Sequence, residues 1–205
     1  MIAASLAAAT RLVTGASVHW LCDRSSETPR IYFANHSSHL DFVLVWSSLP
    51  PPARRRARPV AGSDYWQQTA MRRYFADRVF HAVLIQRSSN RADASAAQAS
   101  VARMAEELDH GQSLIVFPEG TRRLDGEVGA FKSGLFHLSQ LRPDVELIPV
   151  YLQNLNRILP KGEILPVPML GRVVFGRSFE RHRDEPKPAF LSRARHALVE
   201  LGVAA

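Results

Sequence analysis

The sequence predicts one α/β domain: a mixed, mostly parallel central sheet flanked by helices, preceded by an N-terminal amphipathic helix. Three observations predict it. Short apolar runs at 31–34, 82–86, 113–117, 147–151 and 171–175 lack polar alternation, as strands covered on both faces require. Helical segments fall between these runs, most clearly the Ala-rich stretch 92–108. Finally, His36, Arg87 and Glu119 each stand just past a run, where ligands bind in open α/β sheets.

Taken in order, residues 1–20 read as a helix whose side carries Leu6, Leu12, Val13 and Trp20. That side suits either a membrane interface or packing on the domain, and the organisation is read as 1–25 for this segment and 26–205 for the domain. A polar connector, 23–30, leads into the strand 31–34. Residues 42–49 are apolar all round and read as a buried helix, stopped by Pro50-Pro51-Pro52. The basic run Arg54-Arg55-Arg56-Ala57-Arg58 reads as a loop, and 59–61 as a short strand. Residues 64–75 read as one helix, with Tyr65, Trp66, Met71, Tyr74 and Phe75 beside Arg72 and Arg73. Such interleaving suits a lipid headgroup boundary, or a core with solvated arginines. Gly111 closes the helix 92–108, 133–141 is helical, 155–169 is an extended excursion with three prolines, and 188–201 is the closing helix.

The 205 residues suffice to bury a substantial core. An apolar share of 46% and a charged share of 22% are those of a globular chain and exclude a disordered one. A single cysteine, Cys22, excludes an internal disulfide and a multi-cysteine zinc site. No uncharged run reaches the length of a membrane-spanning helix. The net charge of +7, with 23 of 26 basic residues arginine, favours anionic partners such as phosphate headgroups or an anionic membrane.

Two stretches carry chemistry. In Asn35-His36-Ser37-Ser38-His39-Leu40-Asp41, His36 and Asp41 are five apart and cannot share a helix face, so they meet only if the chain turns between them. A turn residue after a strand and a carboxylate in the next helix's first turn would then form general-base equipment. Taken alone, the stretch Ser38 to Asp41 reads first as a capping box with His36 an ordinary turn residue. In Phe117-Pro118-Glu119-Gly120-Thr121-Arg122, a buried strand runs straight into Glu, Gly and Arg. Gly120 permits a sharp turn with exposed amides; Arg122 offers a fork to a phosphate, steadied by Glu119. Lys132 is a further candidate phosphate contact. An ordinary surface Glu–Arg turn is the alternative.

Together the two blocks resemble the glycerolipid acyltransferases, above all the 1-acylglycerol-3-phosphate (lysophosphatidic acid) acyltransferases, with their N-H-x4-D and later F-P-E-G-T-R blocks. Arg87 and Ile148-Pro149-Val150 correspond to two lesser blocks, in family order. The resemblance implies transfer of a fatty acyl group from acyl-CoA or acyl carrier protein to the sn-2 hydroxyl of 1-acylglycerol-3-phosphate, without metal or cofactor. His36 and Asp41 are then catalytic. Arg87, Glu119, Gly120, Thr121, Arg122 and Lys132 bind the acceptor phosphate, and Asn35 and Ser38 support. Backbone N–H groups near the helix start after His36 are expected to hold the oxyanion. The implied setting is peripheral or monotopic, on the cytoplasmic face of an anionic membrane. Glycerol-3-phosphate or another lyso-lipid are alternative acceptors. A metal-dependent hydrolase using His36, His39 and Asp41, and a nucleic-acid binder prompted by the charge, are rival readings of different classes.

Overall fold

The computed structural model describes residues 2–38, 41–86, 94–123, 127–153 and 171–203. In chain order the elements are α1 (Ile2–Thr14), β1 (Ser17–Trp20), β2 (Arg30–Ala34), α2 (Asp41–Ser48), α3 (Pro51–Arg56), β3 (Ala57–Gly62), α4 (Ser63–Trp66) and α5 (Ala70–Tyr74). A π-helical turn, Phe75–Phe80, precedes β4 (Val83–Ile85) and α6 (Ala94–Asp109). Then come β5 (Ser113–Val116), α7 (Gly134–Leu141), β6 (Glu146–Gln153), β7 (Arg172–Phe175) and α8 (Lys187–Val203). Arg87 and the whole of the excursion 155–169 lie outside the described residues.

These strands form one seven-stranded sheet in the order β1-β7-β6-β2-β5-β3-β4. Every described pairing is parallel except β6 with β7. The sheet is therefore mixed and mostly parallel, as the unalternating apolar runs require. β2 lies at its centre, with all five residues buried. Its side chains alternate between two cores. Tyr32 and Ala34 join Ile115, Ile148 and Val150 on the side covered by α1 and α2. Ile31 and Phe33 join Leu114, Val116 and Leu147 on the side covered by α6, α7 and α8.

The structure departs from the sequence reading in four places. Segment 1–20 is not one helix: Gly15, at φ 54°, ends α1, and β1 follows with the two-residue alternation of an edge strand. Trp20 stacks on Phe175 with centroids 3.7 Å apart, so the segment before residue 26 contributes an edge of the sheet itself. Nor does α1 present the expected side. Its packed face is the small stripe Ala7, Thr10 and Thr14, whereas Leu12 is 85% exposed. Arg11 ties α1 to α2 by donating from Nε to the Ser47 carbonyl at 2.9 Å.

The proline run does more than stop α2. Proline is favoured in a first helical turn, where its missing N–H has no partner to lose, and Pro51 and Pro52 open α3. Arg54, Arg55 and Arg56 therefore sit on a helix, while Ala57 and Arg58 begin a longer β3. Lastly, 64–75 divides into α4 and α5, because the Thr69 hydroxyl accepts from the Arg72 amide at 3.2 Å and caps a fresh helix start. Its aromatics divide too. Trp66 and Phe75 pack near Phe80, while Met71 and Tyr74 are exposed.

Candidate active site

The register of two neighbouring strands assembles the site. β2 and β5 pair in parallel with Phe33 opposite Val116. His36 lies three residues beyond Phe33 and Glu119 three beyond Val116, so both leave the same edge of the sheet side by side. The main-chain N–H of His36 donates to Glu119 Oε1 at 2.8 Å. Asn35 fastens the other flank. Its side-chain amide donates to the Leu152 carbonyl at 2.9 Å and accepts from the Leu152 N–H at 2.8 Å. A buried asparagine thus prolongs the β2–β6 ladder by one residue, a role the sequence signals only as an Asn closing a strand.

Past β2 the chain turns, and His36 meets Asp41 across it. Asp41 Oδ2 lies 2.8 Å from His36 Nδ1 and also accepts from the N–H groups of Ser37, at 2.6 Å, and Ser38, at 2.8 Å. The His–Asp contact and the capping-box contact are therefore both present. The bond back to Ser38 is the reciprocal half of a capping box, and the same oxygen holds the ring. Asp41 is fully buried at the start of α2. Its charge there is offset by these donors and by the positive end of the helix dipole. Phe117 stacks on the imidazole at 4.4 Å with 26° between planes, so the ring is fixed by its edge and its face. With Nδ1 turned to the carboxylate, Nε2 is the nitrogen left for the cleft.

The Ser37 and Ser38 amides, which lie where the sequence reading expects oxyanion donors, are taken by Asp41. Gly120 likewise departs from expectation. Its N–H closes a turn to the Phe117 carbonyl at 3.0 Å, and so it is not an exposed anion donor. Its φ of 70° is the left-handed region, and a Cβ there would stand 2.6 Å from Lys132 Cε and 2.8 Å from Nζ. Glycine is favoured here by the turn, while the exposed lysine that crosses it could swing aside. Thr121 and Lys132 are exposed residues.

Glu119 does not steady Arg122 in the way the adjacent motif suggests. Only 5% exposed, it turns Oε1 to the His36 amide and Oε2 to the Gly129 N–H at 2.8 Å. A Cβ on Gly129 would approach Oε2 to 2.9 Å, so the strap around Gly129 needs glycine to come this close. A glycine in a polar loop between the motif and α7 is the only sequence signal of that contact. The Arg123 N–H adds a bond to the His36 carbonyl at 2.9 Å, and the Lys132 N–H one to the Pro118 carbonyl at 2.8 Å.

His36 and Arg122 face the same cleft, open to solvent, whose apolar lining includes Phe42, Trp66, Phe80 and Phe117. Phe42, Trp66 and Trp46 pack edge-on against Phe80, at 5.0 Å for the Phe42 ring. An imidazole, a cation and an aromatic wall thus share one opening at the carboxyl edge of the sheet. Among the described residues no group of three His, Cys, Asp or Glu side chains is placed to hold a metal ion.

Comparison with known proteins fits this geometry. The family model for acyltransferases matches residues 16–153. A chloroplastic 1-acyl-sn-glycerol-3-phosphate acyltransferase of Arabidopsis thaliana is 30% identical over 144 residues, covering 67% of this chain and 35% of its own. A mouse 1-acyl-sn-glycerol-3-phosphate acyltransferase (alpha) is 28% identical over 178 residues, 84% of this chain and 58% of that one. The chain thus spans about a third to a half of the length of the first curated relatives it matches. In fold it is similar to the crystal structure of the 1-acyl-sn-glycerophosphate (LPA) acyltransferase PlsC from Thermotoga maritima. The TM-score is 0.72 at 18% identity, over 98% of this chain and 78% of that one.

The clamp on Glu119 makes a direct prediction. Glu119→Gln keeps the shape but turns an NH₂ group toward one of two buried amide donors, and should destabilise the fold by about 1–3 kcal/mol. Urea unfolding of wild type and variant measures it.

Proposed function

The chain belongs to the acyltransferase family, and we propose that it transfers a fatty acyl group from a thioester to the sn-2 hydroxyl of 1-acylglycerol-3-phosphate, giving phosphatidic acid. The observation that carries this reading is the buried Asp41 holding His36 Nδ1 at 2.8 Å in a cleft that also presents Arg122 and an aromatic wall. Relatives named 1-acyl-sn-glycerol-3-phosphate acyltransferases support the choice of acceptor.

The reaction follows from the residues. An alcohol attacks a thioester carbonyl well only as its proton leaves. The acceptor oxygen forms its bond to the carbonyl carbon while Nε2 of neutral His36 takes the hydroxyl proton. Asp41 keeps Nδ1 protonated and stabilises the imidazolium that results. The tetrahedral oxyanion then collapses, the C–S bond breaks, and the proton on Nε2 passes to the departing thiolate. Ester and free thiol leave, and His36 is again neutral. No covalent acyl-enzyme is needed. Arg122 supplies a fork for the acceptor phosphate, with Thr121, Lys132 and Arg87 as further contacts. Glu119 and Gly120 act through the shape of the turn that carries Arg122. The donor is acyl-CoA or acyl carrier protein, and no cofactor takes part.

The same reading places the protein at an anionic membrane surface, peripheral or monotopic, on the cytoplasmic face. Among the described residues no helix is long and apolar enough to cross a membrane. Exposed Leu12, Met71 and Tyr74 suit the interface, and the arginines of α3 suit its charge, each worth about 1 kcal/mol near such a surface. Neutralising Arg54, Arg55, Arg56 and Arg58 together should weaken sedimentation with phosphatidylglycerol vesicles; unchanged sedimentation would remove these residues from the docking surface.

In detergent micelles with lysophosphatidic acid and a long-chain acyl-CoA, His36→Ala should lower kcat by about 10²–10⁴-fold without a matching loss of thermal stability. Arg122→Gln should chiefly raise the acceptor KM, by about tenfold or more for a lost charge-assisted bond. A folded His36→Ala protein that retains wild-type kcat would overturn the mechanism. Activity with glycerol-3-phosphate or another lyso-lipid in place of lysophosphatidic acid would change the acceptor and leave the chemistry.

A further inference from the structure

Arg195 lies on α8, well beyond the residues 16–153 that the acyltransferase family model matches, and although the residue is exposed its head group is bonded to main chain. Nε donates to the Val128 carbonyl at 2.9 Å and to the Gly129 carbonyl at 3.2 Å, and Nη2 donates to the Val128 carbonyl at 2.6 Å. A guanidinium with a rigid planar fork thus grips two successive carbonyls of one strap. Two other contacts tie that strap down. The Val128 side chain is buried in the core beneath α8, and Phe131 packs edge-on against Phe33 at 6.3 Å. Between these ties the Gly129 N–H reaches Glu119 Oε2 at 2.8 Å, and Glu119 Oε1 receives the His36 N–H at 2.8 Å. Contacts at hydrogen-bond distance therefore run unbroken from the closing helix to the main chain of the base.

We infer that Arg195 is a positioning residue for acyl transfer: by holding the Val128 and Gly129 carbonyls it keeps the Gly129 amide on Glu119, and so keeps Glu119 on the main chain of His36. The inference rests on His36 being the base. Its physical ground is that the strap has no strand or helix of its own through Gly129, so the carbonyls around the critical amide are bonded by a side chain in place of a backbone ladder. A glycine backbone left without that grip has the widest choice of conformations of any residue. Glu119 would then keep one firm amide donor in place of two.

The test compares Arg195→Gln, Arg195→Lys and, as a control on the same helix, Arg193→Gln. Arg193 bonds Glu185 and the Glu180 carbonyl and touches nothing in this chain of contacts. Two measurements are made on the full-length proteins: steady-state kinetics in micelles with lysophosphatidic acid and acyl-CoA, and amide hydrogen exchange resolved at single residues. For Arg195→Gln, kcat should fall about tenfold at nearly constant acceptor KM, short of the ~10²-fold that a 1 Å misplacement can cost. The Gly129 and His36 amides should exchange faster together, with those of α6 unchanged. Arg195→Lys should recover part of both losses, because an ammonium still donates to the two carbonyls. Arg193→Gln should leave kcat and both amides as in wild type. Wild-type kcat in Arg195→Gln would overturn the inference, as would a Gly129 amide that exchanges faster while His36 does not. Should Arg195→Gln fail to fold, Arg195→Lys decides by the same two readouts. If the wild type transfers no acyl group to lysophosphatidic acid or another lyso-lipid, the proposed function fails by that result alone; the exchange data still decide whether Arg195 holds His36 in place.

Discussion

The parallel pairing of β2 with β5 is the constraint on which the rest depends. Two strands from distant parts of the chain end together, with Phe33 opposite Val116. The residues three further on, His36 and Glu119, consequently emerge as neighbours. A slip of one residue in this register would turn Phe33 and Tyr32 to the wrong cores, since strand side chains alternate faces. The hydrophobic sorting that stabilises the sheet therefore also places His36 against its carboxylate clamp. Packing and the geometry of the site are set by a single register.

Each end of that pair carries a buried charge, and each is handled by main-chain donors. Asp41 is held by the Ser37 and Ser38 amides along with the imidazole; Glu119 is held by the amides of His36 and Gly129. A buried carboxylate without such donors would be costly or would neutralise itself. Here the donors also do geometric work: they close the turn after β2 and draw the strap against the turn after β5. His36 is thus gripped at its ring by Asp41, at its N–H by Glu119 and at its carbonyl by the Arg123 amide. Such over-determination suits a general base, whose proton transfer fails when the nitrogen is misplaced.

The sheet and its chemistry were legible in the sequence to different depths. Uniformly apolar runs announce buried strands, so β2, β5 and β7 could be read to within a residue and the centre of the longer β6 was found, and the spacing of His36 and Asp41 required the turn that the structure contains. Register leaves no local trace, however. Glu119 stands beside Arg122 in sequence and invites a pairing with it, but its real partners lie 83 and 10 residues away. The edge strand β1 was hidden because four residues of mild alternation resemble a helix tail, and only Gly15 marks the break. Pro51 and Pro52 read as a stop since proline ends helices as readily as it begins them. Nothing marks Arg195 among 26 basic residues, because its partners are main-chain carbonyls rather than a motif.

Whether His36 and Asp41 act as one unit in acyl transfer is decided by a double-mutant cycle. The kcat for phosphatidic acid formation would be measured for His36→Ala, Asp41→Asn and the pair, each confirmed folded. Groups that act as a unit have strongly non-additive effects. If the two act as one, Asp41→Asn alone should lower kcat at least about 10²-fold, within the range of a disabled general base, and adding it to His36→Ala should lower kcat no further. Losses that simply multiply in the double variant would contradict joint action, because the carboxylate would then act independently of the imidazole it touches.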